Sequence, residues 1–340
     1  MLDCRQRLER YLEHAGEPIG EIEQLTPDAS TREYFRVRWQ GRTAIACVYP
    51  EPFDAAEQTY LDVTRLFAAG GLPVAQVLAY DERLGIIVQE DLGDLILRNK
   101  LVDADAAERD RLLDRSIALI ARIQAATDLA RQMNSAASRL KFDVEKLTWE
   151  LDFFRTHYFE TLRRRPLTAA SSDALDREFR QLAGELEARA EVLCHRDFHA
   201  ANLMIDRDGE LRIIDHQDAR IGTASYDLVS LLLDRVTEPP PVGWLGSKRR
   251  VLIEERVKLG LPRLDENRFA HEFRLQTVQR CLKAVGTFSF QSAMRGKTHF
   301  LPFIKPMFEI ALRAASEIES FPALGDLLLR EIETDQHPRG

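Results

Sequence analysis

Residues 195 to 202 read His-Arg-Asp-Phe-His-Ala-Ala-Asn, and the apolar run Leu211 to Ile214 ends in Asp215. An Asp on a loop after His-Arg can orient a hydroxyl and accept its proton, and an Asn five residues later can turn back to hold a metal ion. A carboxylate at the end of a buried strand suits Mg2+, a hard cation that binds oxygen and keeps phosphate oxygens in its shell. Asp197 as base, with Asn202 and Asp215 as metal ligands, supplies the parts needed to move a phosphoryl group from a nucleotide to a hydroxyl. The plainer alternative is a turn capped by His195 and Asp197 beside a surface strand topped by Asp215. It accounts for each residue singly, but not for the Asp-to-Asn spacing, the apolar strand and the second Asp together. His195 reads as structural, shaping the loop through backbone bonds. His199 is either a substrate contact or a satisfied polar side chain.

The surrounding elements follow from periodicity. Cys4 to Ala15 has Leu8, Tyr11 and Leu12 at helical spacing, and Gly16 ends it. Strand patterns cover Ile22 to Leu25, Glu33 to Trp39 and Arg42 to Tyr49, separated by turn residues at Pro27 to Thr31 and Gln40-Gly41. A helix is expected over Asp54 to Ala69, stopped by Gly70-Gly71, and two more strands over Val74 to Tyr80 and Gly85 to Gln89. Five strands and one internal helix thus form a small first lobe ending near Glu90 to Gly93. Beyond it the pattern is helical over Asp105 to Ala126, Val144 to Leu162 and Asp173 to Ala190. The Pro239-Pro240-Pro241 breaker precedes helices at about 248–260, 265–294 and 302–318, and the residues after Glu331 read as frayed.

At 340 residues the chain can hold two lobes with separate cores. A net charge of −8 argues against a nucleic-acid partner, which calls for a basic excess or stripe, and Arg163 to Arg165 reads as a solvated helix end. The four cysteines are widely spaced, without the pairing of a zinc site or a disulfide framework, and read as reduced, buried thiols. No signal-peptide pattern or run of membrane-spanning length is present, so a cytoplasmic protein is expected.

With these elements in place the chain resembles the aminoglycoside phosphotransferase and choline kinase superfamily. Within it, the likeness is to the kinases that phosphorylate N-acetylmuramate and N-acetylglucosamine at the anomeric hydroxyl. The stretches that carry it are Asp28 to Arg36, Leu147 to Phe154, His195 to Met204 with Ile214 to Ala219 and Tyr226 to Leu231, and Gln279 to Phe288. The resemblance implies an α+β, two-lobed, protein-kinase-like fold. Residues 1–92 would form a small antiparallel-sheet lobe that binds nucleotide, and residues 93–340 a larger helical lobe with the catalytic loop and substrate site. It further implies ATP (or GTP) and Mg2+ as cofactors and a small amino sugar as partner, in cell-wall sugar recycling.

Residue by residue, the resemblance places phosphate contacts in the turn Asp28, Ala29, Ser30, Thr31 and Arg32, and adenine contacts at the backbone of Glu90 and Leu92. Tyr226-Asp227 would buttress the catalytic loop. His199, Gln217, Asp218, Glu150, Arg280 and Lys283 are candidate substrate groups, since sugar hydroxyls need paired donors and acceptors and a lactyl carboxylate needs a cation. Trp149, Phe153, Phe154 and Tyr158 fall at helical spacing and would either floor a sugar site or pack in the core. One departure is plain: Ala44 to Tyr49 lacks the third-strand lysine of protein kinases, which leaves Glu57 without a lysine to pair with. Aminoglycoside and choline-type acceptors, and a nucleotide-binding module without transfer, stand as alternatives. Neither ATP-versus-GTP preference nor oligomeric state is set by the sequence.

Overall fold

A computed structural model describes residues 3–20, 22–25, 32–318 and 320–336, so the expected phosphate turn at Asp28 to Thr31 lies outside the described residues. The chain forms two compact units, each assembled from separate stretches. The first comprises residues 1–109, 129–136 and 200–218, and the second residues 110–128, 137–199 and 219–340. The expected lobe boundary after Leu92 is a different division and falls inside the first unit.

The first unit begins with α1 (Cys4–His14), whose N-cap Asp3 accepts from the Gln6 amide in a capping box. Its sheet contains β1 (Glu23–Leu25), β2 (Glu33–Trp39), β3 (Arg42–Val48), β4 (Val77–Asp81) and β5 (Ile86–Glu90), all antiparallel, in the order β1-β2-β3-β5-β4. Strand alternation sends Phe35, Val37, Trp39, Ala44, Ala46, Val48, Ile86 and Val88 to one face, where Leu8, Tyr11 and Leu12 of α1 cover them. The opposite face meets α2 (Thr59–Ala69) through Tyr60 and Leu61 packed with Ile87.

Two boundaries differ from the sequence pattern. Residues 54–58 turn instead of joining α2, because Asp54 accepts from the amides of Ala56 and Glu57 and Gln58 caps the helix. Glu57 therefore stands exposed ahead of the helix. The fourth strand starts at Val77, since Val74 pairs instead with Ile213.

The chain then forms α3 (Leu97–Asp103), α4 (Ala106–Ala125), α5 (Thr127–Gln132), α6 (Ala136–Arg139), α7 (Val144–Arg155) and α8 (Ala169–Glu187). The short strands β6 (Val192–Cys194), β7 (Leu203–Ile205), β8 (Leu211–Ile213) and β9 (Arg220–Gly222) follow. Pairing is β7 with β8 in the first unit and β6 with β9 in the second, both antiparallel. The rest is helical: α9 (Tyr226–Leu233), α10 (Val242–Lys258), α11 (Glu266–Arg295), α12 (Ile304–Ser316) and α13 (Pro322–Gln336).

In the second unit the 30-residue α11 is the axis against which α7, α8 and α12 pack. Gly286 makes the α7 contact possible, because a Cβ there would lie 2.7 Å from the Phe154 Cα. Past Arg155, α7 continues as a π-helical segment, Thr156–Leu162, that carries Tyr158 and Phe159 into the core. Phe154 and Tyr158 are fully buried against Phe308, so this half of the aromatic stripe is core, each ring contributing about 1.5–3 kcal/mol by burial. Trp149 is exposed, with Lys146 over its ring.

Order does not end at Glu331. The α13 helix runs on to Gln336, and the buried Glu331 accepts from Tyr158 and pairs with Arg165 and Arg163. Arg163 caps the end of the π-helical segment and Arg164 and Arg165 are exposed, as expected of a helix end, while Arg163 and Arg165 also neutralise the buried Glu331. Among the described residues no helix is long and apolar enough to cross a membrane.

Candidate active site

The first unit supplies an acidic, oxygen-rich cluster. Pairing of Leu203 with Ile213 brings the residues at the open end of the β7–β8 hairpin side by side, and the Ile214 amide donates to the Asn202 carbonyl at 3.1 Å. Asn202 Nδ2 lies 3.4 Å from Asp215 Oδ2, Gln217 Nε2 donates to Asp215 Oδ1 at 2.9 Å, and Arg32 Nη2 is 3.4 Å from the same oxygen. Asp215 holds a φ of 61°, a conformation that Asn and Asp tolerate better than most side chains. The next residue locks the bend: His216 is fully buried, 2.7 Å from Thr64 Oγ1, and stacked on Tyr60 and Phe67 of α2.

These residues fit a Mg2+ ion. Asn202 and Asp215 offer hard oxygen donors, Asp215 is 42% exposed, and the buried Gln217 Oε1 beside it has no hydrogen-bond partner among the described residues. Among the described residues no group of three or more His, Cys, Asp or Glu side chains is set to hold a metal. Mg2+ needs no such cage, being held by one or two protein ligands together with phosphate and water.

At the end of the sheet, Glu90 and Asp91 are not free carboxylates. Arg212 donates to Glu90 at 2.7 and 3.1 Å, and Arg36 donates to Asp91 at 2.9 Å. Burial works against both charges, and the guanidinium bonds more than reverse it, so both carboxyls titrate below their usual values. Leu92 is buried and Gly93 has a φ of 85°, which fixes a turn of defined shape after β5.

The second unit supplies a carboxylate among cations. Asp227, fully buried at the start of α9, accepts from the amides of His195 at 2.7 Å and Arg196 at 3.0 Å. Arg196 is thereby held at a φ of 87°, a strained conformation for a residue with a Cβ. The bend presents Asp197, whose Oδ1 lies 3.5 Å from Lys283 Nζ and 3.7 Å from Arg280 Nη1, with Arg196 Nε 3.9 Å from Oδ2. Burial pushes the Asp197 carboxyl up, but Lys283, Arg280 and Arg196 overwhelm it and hold the group well below the usual carboxylate range. Burial and the Arg280 charge lower Lys283, against the pull of Asp197 and Glu150.

Those cations are fixed from behind. Arg280 donates to the Tyr226 hydroxyl at 3.0 Å and to Ser230 at 2.6 Å. Lys283 is 3.8 Å from Glu150 Oε1, and the buried Glu150 accepts from Gln279 at 2.7 Å. Gln276 donates to Gln279 and accepts from Thr223, extending the buried polar chain.

The structure therefore gathers Glu150, Arg280, Lys283 and His199 around Asp197, the His199 amide donating to the Asp197 carbonyl. Gln217 and Asp218 belong to the first unit, where Gln217 bonds to Asp215. Sequence reasoning missed His216, Ser230, Gln276 and Gln279. The spacing of Gln279 and Lys283, one helical turn apart, carried the signal for one shared face.

A sequence profile of the phosphotransferase enzyme family matches residues 21–264. An N-acetylmuramate/N-acetylglucosamine kinase of Neisseria meningitidis serogroup B is 31% identical over 292 residues, 85% of this chain and 84% of its own. An aminoglycoside phosphotransferase solved with gentamicin superposes with a TM-score of 0.60 at 13% identity, over 96% of this chain and 99% of its own. Spectinomycin phosphotransferase solved with ADP and spectinomycin gives 0.56 at 12% identity, over 95% and 97%. At those identities the solved structures establish the shared kinase-like fold.

Proposed function

The chain belongs to the phosphotransferase enzyme family, and from that premise we propose that it transfers the γ-phosphoryl group of ATP (or GTP) to the anomeric hydroxyl of an N-acetylated amino sugar. N-acetylmuramate and N-acetylglucosamine are the acceptors, as named for the Neisseria relative. Asp197 orients the acceptor hydroxyl and takes its proton as the oxygen attacks the γ-phosphorus and the bond to the β,γ-bridging oxygen breaks. Asn202 and Asp215 would hold Mg2+, which when bound would supply screening of negative charge on the phosphate oxygens. In this reading residues 1–92 act as the nucleotide lobe, with the turn at Asp28 to Thr31 over the phosphates and the backbone of Glu90 to Leu92 against the base. Residues 93–340 hold the acceptor, and the setting is the cytoplasm.

The observation that carries the proposal is the ring of cations around Asp197. A carboxylate held far below its ordinary pKa is a weak base, best matched to an acidic hydroxyl, and the anomeric hydroxyl is the most acidic on a reducing sugar. The same cations repel choline and the polyamine aminoglycosides, and favour a neutral or carboxylate-bearing acceptor.

Phosphorus NMR of products from the reducing sugars and their 1-O-methyl glycosides tests the reading. Phosphate is expected on the anomeric oxygen, with no transfer to the methyl glycosides. Phosphate on the 6-hydroxyl, or equal activity on a methyl glycoside, overturns it. The product, a sugar 1-phosphate, suits nucleotide-sugar synthesis in cell-wall recycling.

A further inference from the structure

Protein kinases place a lysine on the third strand to hold the α- and β-phosphates, and steady it with a glutamate from the following helix. Here both are replaced. On β3, Cys47 is buried, and burial pushes its thiol up to about 11, so it brings no charge at neutral pH. Its partner across the β2–β3 ladder is Tyr34. Arg32 lies just ahead of β2, two residues before Tyr34.

The Arg32 guanidinium lies 5.8 Å from the centre of the Tyr34 ring and 5.7 Å from that of Tyr49, with Nη2 3.4 Å from Asp215 Oδ1. Its side chain is only 16% exposed. On the helix, α2 turns Tyr60, Thr64 and Phe67 toward His216, and its Asp62 is taken up by Ser135 and the Ala136 amide. A lysine at position 47 would find no glutamate there, whereas an arginine between two tyrosine faces is steadied without one.

We propose that Arg32 replaces the third-strand lysine. It brings the cation from just ahead of the neighbouring strand to the side of Asp215, where its planar fork binds the α- and β-phosphates of the nucleotide. The loss of the lysine and the loss of the helix glutamate are then one change, with two aromatic rings holding the cation in place of a carboxylate. The inference rests on the nucleotide-dependent reading above and extends it to a residue outside the base and metal set.

The test is titration calorimetry of ATP, GTP, adenosine and guanosine, without acceptor and without metal, on the full chain and its Arg32 variants. Arg32→Gln is expected to weaken triphosphate binding about 10- to 100-fold, the range of one or two lost charge-assisted hydrogen bonds, and to leave nucleoside binding unchanged. Arg32→Lys should retain part of the triphosphate affinity. The Arg32→Ala, Cys47→Lys double variant should recover part of the affinity lost in Arg32→Ala, because the vacated space receives the new ammonium group, though no glutamate steadies it. Circular dichroism and nucleoside binding check the fold of each variant. Unchanged triphosphate affinity in Arg32→Gln, or equal loss for triphosphate and nucleoside, overturns the proposal; so does failure of a folded double variant to recover. If the double variant does not fold, the Gln and Lys variants decide. Failure of the functional reading has a different signature: Arg32-dependent triphosphate binding with no sugar phosphorylated. Absence of all nucleotide binding in the unmodified chain would overturn both.

Discussion

The buried carboxylate of Asp227 accepts the backbone N–H of Arg196 at 3.0 Å, and Arg196 sits at a φ of 87°. The neighbouring amide of His195 reaches the other oxygen at 2.7 Å. One side chain thus fixes two successive peptide groups of the loop that presents Asp197, and the strain stored at Arg196 is held in place by those bonds.

Replacing Asp227 by Asn turns one acceptor oxygen into a donor facing another donor. We expect a stability loss of about 1–3 kcal/mol, the cost of a buried polar group left without a partner. Turnover should fall by at least about tenfold, because a small misplacement of the base is costly. Urea unfolding and steady-state kinetics measure the two effects. Full activity in a destabilised Asp227→Asn protein would show that the bonds support the fold alone.

For the base itself, Asp197→Asn should lower turnover by about 10²–10⁴-fold, the range for a lost general base, with nucleotide affinity nearly unchanged. Single-turnover kinetics and nucleotide titration check this. Near-normal turnover would remove Asp197 from the role.

The pH profile offers a separate check. A carboxyl whose folded pKa is depressed stays ionised as pH falls through the ordinary carboxylate value, and its function is lost only below that. With Lys283, Arg280 and Arg196 holding Asp197 well under the usual range, the acid limb of kcat/KM should not reflect Asp197 titration near pH 4. Lys283→Met, paired with Glu150→Gln to avoid stranding a buried charge, should move the limb upward, since the nearest cation to Asp197 is removed. An unmoved profile would mean that Lys283 does not tune the base.

Asp215 serves to separate charge from conformation. Asn tolerates the left-handed backbone that Asp215 adopts, so Asp215→Asn should keep the melting temperature while raising the Mg2+ requirement and cutting turnover. Asp215→Ala should add about 1–2 kcal/mol of backbone strain to the same defect. Mg2+ titrations of activity alongside thermal melts distinguish the two. Loss of activity with no metal dependence at any Mg2+ concentration would contradict the ligand role.

Gly286→Ala forces a Cβ against the Phe154 backbone. It should cost about 1–3 kcal/mol by overpacking and lower kcat/KM, since Glu150 and Lys283 sit on the two helices being pushed apart. Denaturant melts and kinetics test it; an unaffected rate would uncouple helix packing from the site.

The sequence was most legible where local chemistry fixes the outcome. The nearness of Asn202 to Asp215 and the alternating burial of β2 both read directly, as did Asp227 behind the loop. Legibility failed where distant partners decide. Nothing near residues 239 to 241 says that α10 starts at Val242, and the order of α13 depends on Glu331 meeting Tyr158 and Arg165, which lie far back in the chain. The grouping of Glu150 with Lys283 is likewise tertiary: the residue types were visible, but their partnership was not.

The interleaving of the two units has a bearing on how the chain is born. The sheet unit includes residues 200–218, and its catalytic side is closed by Ile213 against Val74 and by His216 against Thr64. On the ribosome, the strands and α1 can assemble early, but that side stays open until residue 218 has emerged. By then the chain has already delivered all of the stretch from 137 to 199 that belongs to the other unit. The second unit, which runs on to residue 340, can close only after the first has all its residues. A truncation anywhere before Asp218 should leave a sheet with an uncovered apolar flank, and hence a species prone to associate during synthesis.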